Sequence, residues 1–181
     1  ANLNIDSTDG NVDFDANSEI KAGANTVISI KGDGNKVSID GGINSTSKTT
    51  TGSIEKTGSG ILDINSKIYG DKLTVSEGTT NINDDVNLSG AVKIEGLTGV
   101  GKTATVNIAA GKSLKTTDDI TVGSLDNYND TILNLDANSL LSGRNVSLNA
   151  IINAVKATIS ADKNKGGIVS IGEKTNLTVS H

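Results

Sequence analysis

Val92-Lys-Ile94, Val106-Asn-Ile108, Ile120-Thr-Val122, Leu133-Asn-Leu135 and Val146-Ser-Leu148 decide the fold of this chain. Each triplet sets two apolar side chains around a polar one. That spacing puts the apolar pair on one face of a strand and the polar residue on the other. The triplets follow one another at nearly even steps, and each step has room for a strand plus a corner, or for two short strands. The same beat spreads in both directions. It runs through Leu3/Ile5, Val12/Phe14, Ile28/Ile30, Val37/Ile39, Leu62/Ile64, Leu73/Val75 and Val86/Leu88, and closes with Val169/Ile171 and Leu177/Val179. Short strands of one pattern, recurring along the chain and bounded by Gly, Asn, Asp and Ser, describe repetitive β-structure.

The 181 residues contain no Pro, Cys, Met or Trp, and only two Tyr and one Phe. The core is therefore built from Ile, Val, Leu and Ala, which stack in regular layers, and no disulfide or thiolate metal site is available. A net charge of -5 with dispersed lysines argues against nucleic acid as a partner, because a phosphate backbone calls for a clustered basic face. No stretch reaches the ~18 apolar residues of a membrane helix. The start at Ala1-Asn2-Leu3 reads as a processed or excised piece of a longer protein.

Corner chemistry fits stacked coils. Gly32-Asp-Gly-Asn35, Gly41-Gly42, Gly58-Ser-Gly60 and Gly166-Gly167 tolerate positive φ, and Asn and Asp can form ladders along successive coils. Residues Leu148 to Ile159 allow a helix face, but the two-residue period makes them strand–turn–strand. The polar segment 40–52 is expected to leave the stack as a loop. With about 20–25 residues per coil, the chain forms one β-solenoid segment over 1–181, of about seven to nine coils, on the order of 35–40 Å long. The competing architecture is an antiparallel β-sandwich, against which stands the lack of consistent Asn-Gly or Asp-Gly hairpin signals.

Lys56-Thr-Gly-Ser-Gly60, followed by Leu62-Asp-Ile64 and then by Leu73-Thr-Val-Ser-Glu-Gly78, resembles the β-strand repeat of autotransporter (type V secretion) passenger domains, over Ser53–Gly78. Ser142-Gly-Arg-Asn-Val-Ser-Leu-Asn149 is similar in style to repeats of filamentous haemagglutinin-like adhesins. The resemblance implies a right-handed parallel β-helix. It also implies export through the outer membrane and display on, or release from, the bacterial surface. Membrane attachment would run through a translocator barrel that this chain does not contain. It implies no single activity, since passengers include adhesins, aggregation factors, toxins, proteases and esterases.

Motifs that suggest chemistry have plainer readings. Gly96-Leu-Thr-Gly-Val-Gly-Lys-Thr103 matches the phosphate-binding loop pattern, yet Ala104-Thr-Val-Asn-Ile108 behind it alternates as a strand and provides no helix N-terminus. His181 is the only histidine, which leaves no Ser–His or Cys–His system. Asp84-Asp85 and Asp118-Asp119 are sequential pairs whose side chains point to opposite faces of a strand. Only Tyr69 and Tyr128 could stack on a sugar. Asp6 to Gly10 and Gly32 to Asn35 read as Asx turns rather than calcium loops. Arg144 reads as a solvated or salt-bridged surface residue, not as a lyase base.

No cofactor, metal or catalytic residue is assigned from the sequence. The expected function is adhesion by non-catalytic contact with a host surface protein or glycan, or with another copy of the chain. The expected contact residues are Asn44, Ser45, Thr46, Thr49, Thr50 and Thr51 in one loop and Asp126, Tyr128 and Asp130 in another. Summed weak polar contacts make avidity the operative quantity. The alternatives are a β-helical enzyme acting on polysaccharide and a spacer that presents a distal domain.

Overall fold

Backbone hydrogen bonds between coils, not within hairpins, organise the chain. In the computed structural model, which describes residues 1–180, the strands close into a parallel β-solenoid of three sheets. His181 lies outside the described residues. Sheet A stacks Asn2–Asp6, Val27–Lys31, Ser53–Thr57, Leu73–Val75, Val92–Ile94, Ile120–Gly123, Val146–Asn149 and Val169–Ile171. Sheet B stacks Val12–Phe14, Lys36–Ile39, Ile61–Ile64, Gly78–Ile82, Ala104–Ile108, Thr131–Leu135, Ile151–Ala154 and Asn176–Val179. Sheet C holds Ile68–Gly70, Val86–Leu88, Ser113–Thr116, Ser139–Gly143 and Ala157–Ala161. Single bridges from Ile20 to Ile43 and from Ile43 to Ile68 carry its line two coils further.

Every pairing between strands is parallel, which removes the sandwich alternative. The even triplets that begin at Val92 alternate between sheets A and B. Coil length is less regular than expected. Ile54 lies beside Leu73 and Val92 lies beside Ile120, so the second of these coils is longer by nearly half. The surplus in the long coil is a corner excursion. Leu148 to Ile159 contributes three strands rather than two, with corners at Ala150 and at Val155-Lys156, so Val155 is exposed and drops out of the alternation.

Inside the coils, like stacks on like. Val37, Leu62, Val106, Leu133 and Ile152 occupy one inward line of sheet B, and Ile39, Ile64, Ile82, Ile108 and Leu135 the next, all buried. Side chains from all three sheets meet in one apolar core. The polar residue of each beat faces out. On sheet B those residues form a ladder of side-chain amides. Asn153 donates to Asn134 at 2.9 Å, Asn134 to Asn107 at 2.7 Å, Asn107 to Asn81 at 2.8 Å and Asn81 to Asp63 at 2.7 Å. The expected ladders are thus present along the middle of a sheet face as well as at a corner, where Asn83 donates to Asn65 and Asn65 to Asp40.

Polar residues also reach the inward lines, among them Lys56, Thr80, Thr116 and Thr131. Lys56 occupies the line of Ile30 and Val75 and is 1% exposed. Its ammonium donates to the carbonyls of Thr57, Gly58 and Glu77 at 2.9, 2.7 and 3.2 Å. The head of the Lys-Thr-Gly-x-Gly stretch therefore fastens the corner of its own coil to the corner of the next. Gly78, at φ 74°, leaves room for it, since a Cβ there would stand 2.6 Å from Lys56 Nζ and 2.4 Å from two backbone oxygens. Burial pushes the Lys56 ammonium down to about 8 from an ordinary 10.5. Because the folded value is the lower one, the unfolded chain binds more protons between these limits, and stability rises with pH across that window. Thermal unfolding followed by circular dichroism is expected to show this rise from pH 8 to 10, and the Lys56→Met variant is expected to lack it.

Thr80 takes the place of an aliphatic residue between Leu62 and Val106, and its hydroxyl has no partner among the described residues. A buried unsatisfied hydroxyl costs about 1–3 kcal/mol. Thr80→Val keeps the shape and removes the hydroxyl, so denaturant unfolding is expected to show a gain of about 1 kcal/mol.

Candidate binding groove on sheet C

The outward positions of sheet C come into line through the register of its strands. Tyr69 stands beside Asn87, Asn87 beside Lys115, Lys115 beside Ser142, and Ser142 beside Ser160. Unlike the ladder on sheet B, this row has no side-chain hydrogen bonds to other described residues. A groove of about 700 Å³ runs over its Tyr69, Asn87, Lys115 and Ser142. Lys48 and Thr50 border it at one end. At the other end lies the turn Lys163–Lys165, capped by Asp162 through the Asn164 N–H and closed by Gly166 in the left-handed conformation. Lys48, Lys115 and Lys163 form no salt bridge with any described residue. Arg144, on the same rim, is held by Asp118 and by a two-point contact with Asp119. Hydrogen bonds from Arg144 and Asn145 hold the Asp119 carboxyl below its ordinary range. The groove thus carries four cationic side chains and one carboxylate, Asp162, on a chain of net charge -5.

The segment 40–52 departs from the stack less than expected. Ile43 stays in the line of sheet C, and only the residues after it turn outward. Asn44 and Lys48, both left-handed at φ 51° and 58°, bracket the turn, and the Lys48 N–H donates to the Asn44 carbonyl at 2.7 Å. Asn44 is a correction to the contact reading, because its side chain is buried. Its amide accepts from the Ala22 N–H at 2.8 Å and donates to the carbonyls of Ala22, Thr51 and Tyr69. Ser45 is half-buried and donates to the Gly41 carbonyl. Thr46 is exposed and donates through both its N–H and its hydroxyl to Glu19, which lowers the Glu19 carboxyl. Thr49 and Thr51 face, with Thr46, a separate recess against residues 19–24. Of the expected contact residues only Thr50 reaches the groove.

The second expected loop lies on another corner. Asp126 is exposed, while Tyr128 is half-buried with the Lys174 ammonium 5.2 Å from its ring centre. That ring is not the free platform the sequence suggests. Asp130 accepts from the Thr103 hydroxyl at 2.8 Å, and Asn127 donates to Glu95 and accepts from the Thr98 N–H. The loop is thereby tied to the stretch Gly96–Thr103. In that stretch Leu97 and Lys102 pair in antiparallel fashion around Gly99 and Gly101, both at positive φ, and a strand follows. The phosphate-loop pattern is a hairpin-like excursion without a helix behind it.

The sequential carboxylates do not point to opposite faces as expected, because they lie at corners rather than within strands, and each pair turns to one cation, Asp118 and Asp119 to Arg144. Asp84 and Asp85 bind Lys67, and Lys112 lies 3.6 Å from Asp84. Asp13 has its carboxyl raised by a hydrogen bond with Asp40, and neither residue lines the groove. Asp6 accepts from the Thr8 N–H at 2.9 Å, as an Asx turn does. Among the described residues no three His, Cys, Asp or Glu side chains converge to hold a metal ion. Among the described residues no helix is long and apolar enough to cross a membrane.

In the sequence Tyr69 stands out as a surface for sugar, whereas nothing marks Lys48, Lys115 and Lys163. These four residues come from four different coils, and only the register joins them. Compared with known proteins, the chain matches no family model, no curated protein sequence and no solved structure.

Asn44→Ala is expected to lower unfolding stability by roughly 2–4 kcal/mol, because it leaves several buried backbone groups without partners. Urea unfolding measures this, and Thr46→Ala, which removes an exposed contact, is expected to change stability by less than about 1 kcal/mol.

Proposed function

We propose that this protein is an adhesin-type contact scaffold: part of an autotransporter-like passenger, displayed on the bacterial surface, that holds an extended partner without transforming it. The observation that carries this reading is the groove over sheet C, a row of unengaged polar and cationic side chains on a rigid stack. Rods of stacked coils present long faces on which individually weak contacts add up. The partner is a host surface molecule or a second copy of the chain.

Contact is favoured over catalysis by the distribution of carboxylates. Hydrolysis of a glycosidic bond uses two carboxyl groups ~5–9.5 Å apart across the substrate. Among the residues lining the groove only Asp162 is acidic, and that carboxylate caps a turn.

Inert beads coated with the purified chain test the proposal. They are expected to attach to mammalian cells, or to clump, more than beads coated with an unrelated acidic protein. Beads that do neither would overturn the contact reading and leave the rod as a spacer.

A further inference from the structure

We propose that the sheet C groove binds an acidic polysaccharide, a polymer of sugars bearing carboxylate or sulfate groups. Lys48, Lys115 and Lys163 would receive the anionic groups and Tyr69 would receive a sugar face. The proposal deepens the contact reading and rests on it.

Position comes first. Lys48 borders the groove beside the coil of Ile43, Lys115 stands in the third coil beyond it, and Lys163 follows the strand Ala157–Ala161, two coils further. At a rung spacing of ~4.8 Å these three charges span about 24 Å along the rod, the length of a short stretch of extended polymer. A polymer with anions at intervals can meet all three, whereas a single small anion meets one.

Lining chemistry selects sugar among polyanions. Between the cations lie the Asn87 amide and the Thr50, Thr117 and Ser142 hydroxyls, together with the Tyr69 ring. Amides and hydroxyls suit sugar hydroxyl groups, and a flat ring suits the apolar face of a pyranose. An acidic peptide would seek a free sheet edge or apolar pockets, but the strands under the groove are paired on both sides from Val86–Leu88 to Ser139–Gly143. A nucleic acid strand would seek several aromatic rings for its bases, and the groove offers one.

Electrostatics then confines the ligand to this face. The chain as a whole repels polyanions, so an acidic polymer is held where the local sign reverses. Lys48 and Lys163 are exposed at the two ends of the groove and Lys115 is exposed at its middle, so none needs to be pulled from a buried pair.

Binding is measured by fluorescence polarisation with labelled heparin, labelled polygalacturonate, neutral dextran, inorganic polyphosphate, poly-glutamate and a single-stranded oligonucleotide, at low and high salt. The full chain is compared with the groove triple variant Lys48→Gln/Lys115→Gln/Lys163→Gln. A second triple variant, Lys31→Gln/Lys156→Gln/Lys174→Gln, removes the same charge elsewhere. Circular dichroism verifies that each variant is folded. The groove triple variant is expected to lose about tenfold or more in affinity for the acidic polysaccharide, and the control triple variant at most about threefold. Tyr69→Ala is expected to weaken polysaccharide binding several-fold and to leave polyphosphate binding unchanged. The heparin and polygalacturonate arms show whether sulfate or carboxylate is preferred. Equal losses in the two triple variants, or tighter binding of poly-glutamate or oligonucleotide than of either sugar polymer, would overturn the proposal. If coated beads still attach to cells when polysaccharide binding is absent, the polysaccharide assignment fails and the contact reading stands. If both are absent, both fail.

Discussion

Each coil must offer its neighbours the same three-sided outline, because the backbone groups of one coil are satisfied by the coils above and below it. Everything else in the structure follows from that requirement. Inward side chains fall into lines, so an Ile meets Ile or another aliphatic residue such as Leu, and one large aromatic would push apart the coils on either side. Length can vary only at corners, which is where the long coil from Val92 to Ile120 puts its extra residues. A polar residue in the core either finds acceptors there or, like Thr80, leaves its polar group unpaired at a cost in stability. Lys56 finds them by reaching the carbonyls of two successive corners. Its stem fills the aliphatic line while its ammonium joins the coils, which accounts physically for a lysine at the head of the Lys-Thr-Gly-x-Gly stretch.

The fold was legible because its signal is local. A period of two is visible within a single triplet, and thirteen of the fourteen beats lie in sheets A and B, where both inward positions are large. Sheet C is fainter for a packing reason. The second inward residue of its strands is Gly70, Leu88, Thr116, Gly143 or Ala161, small in four coils of five, so only Val86/Leu88 shows as a beat. The face that carries the groove is thus the face that sequence periodicity shows least.

The site was less legible because its parts are set by register and not by spacing. Coils as unequal as Ile54 to Leu73 and Val92 to Ile120 scatter Lys48, Tyr69, Lys115 and Lys163 along the chain, and no constant offset predicts that they share a face. The loop around Asn44 has the composition of a contact surface, but composition cannot distinguish an amide that meets solvent from one that satisfies buried carbonyls. Asn44 is the second kind. Tyr128 fails for a similar reason, since its partner Lys174 arrives from two coils later in the chain.

Sheets B and C show how one stacking rule yields two unlike outer faces. On sheet B, Asn81, Asn107, Asn134 and Asn153 are identical and in register, so each amide completes its neighbour's hydrogen bond. A ligand approaching that face would have to replace bonds already made, with little net gain. On sheet C the outward row of Tyr69, Asn87, Lys115, Ser142 and Ser160 mixes a ring, an amide, an ammonium and two hydroxyls, which do not pair along the stack. Their donors face water, and exchanging water for ligand sacrifices no internal bond. Uniformity along a line spends hydrogen-bonding capacity on the rod itself, and heterogeneity leaves it available. That difference sets the outer face of sheet C apart from that of sheet B.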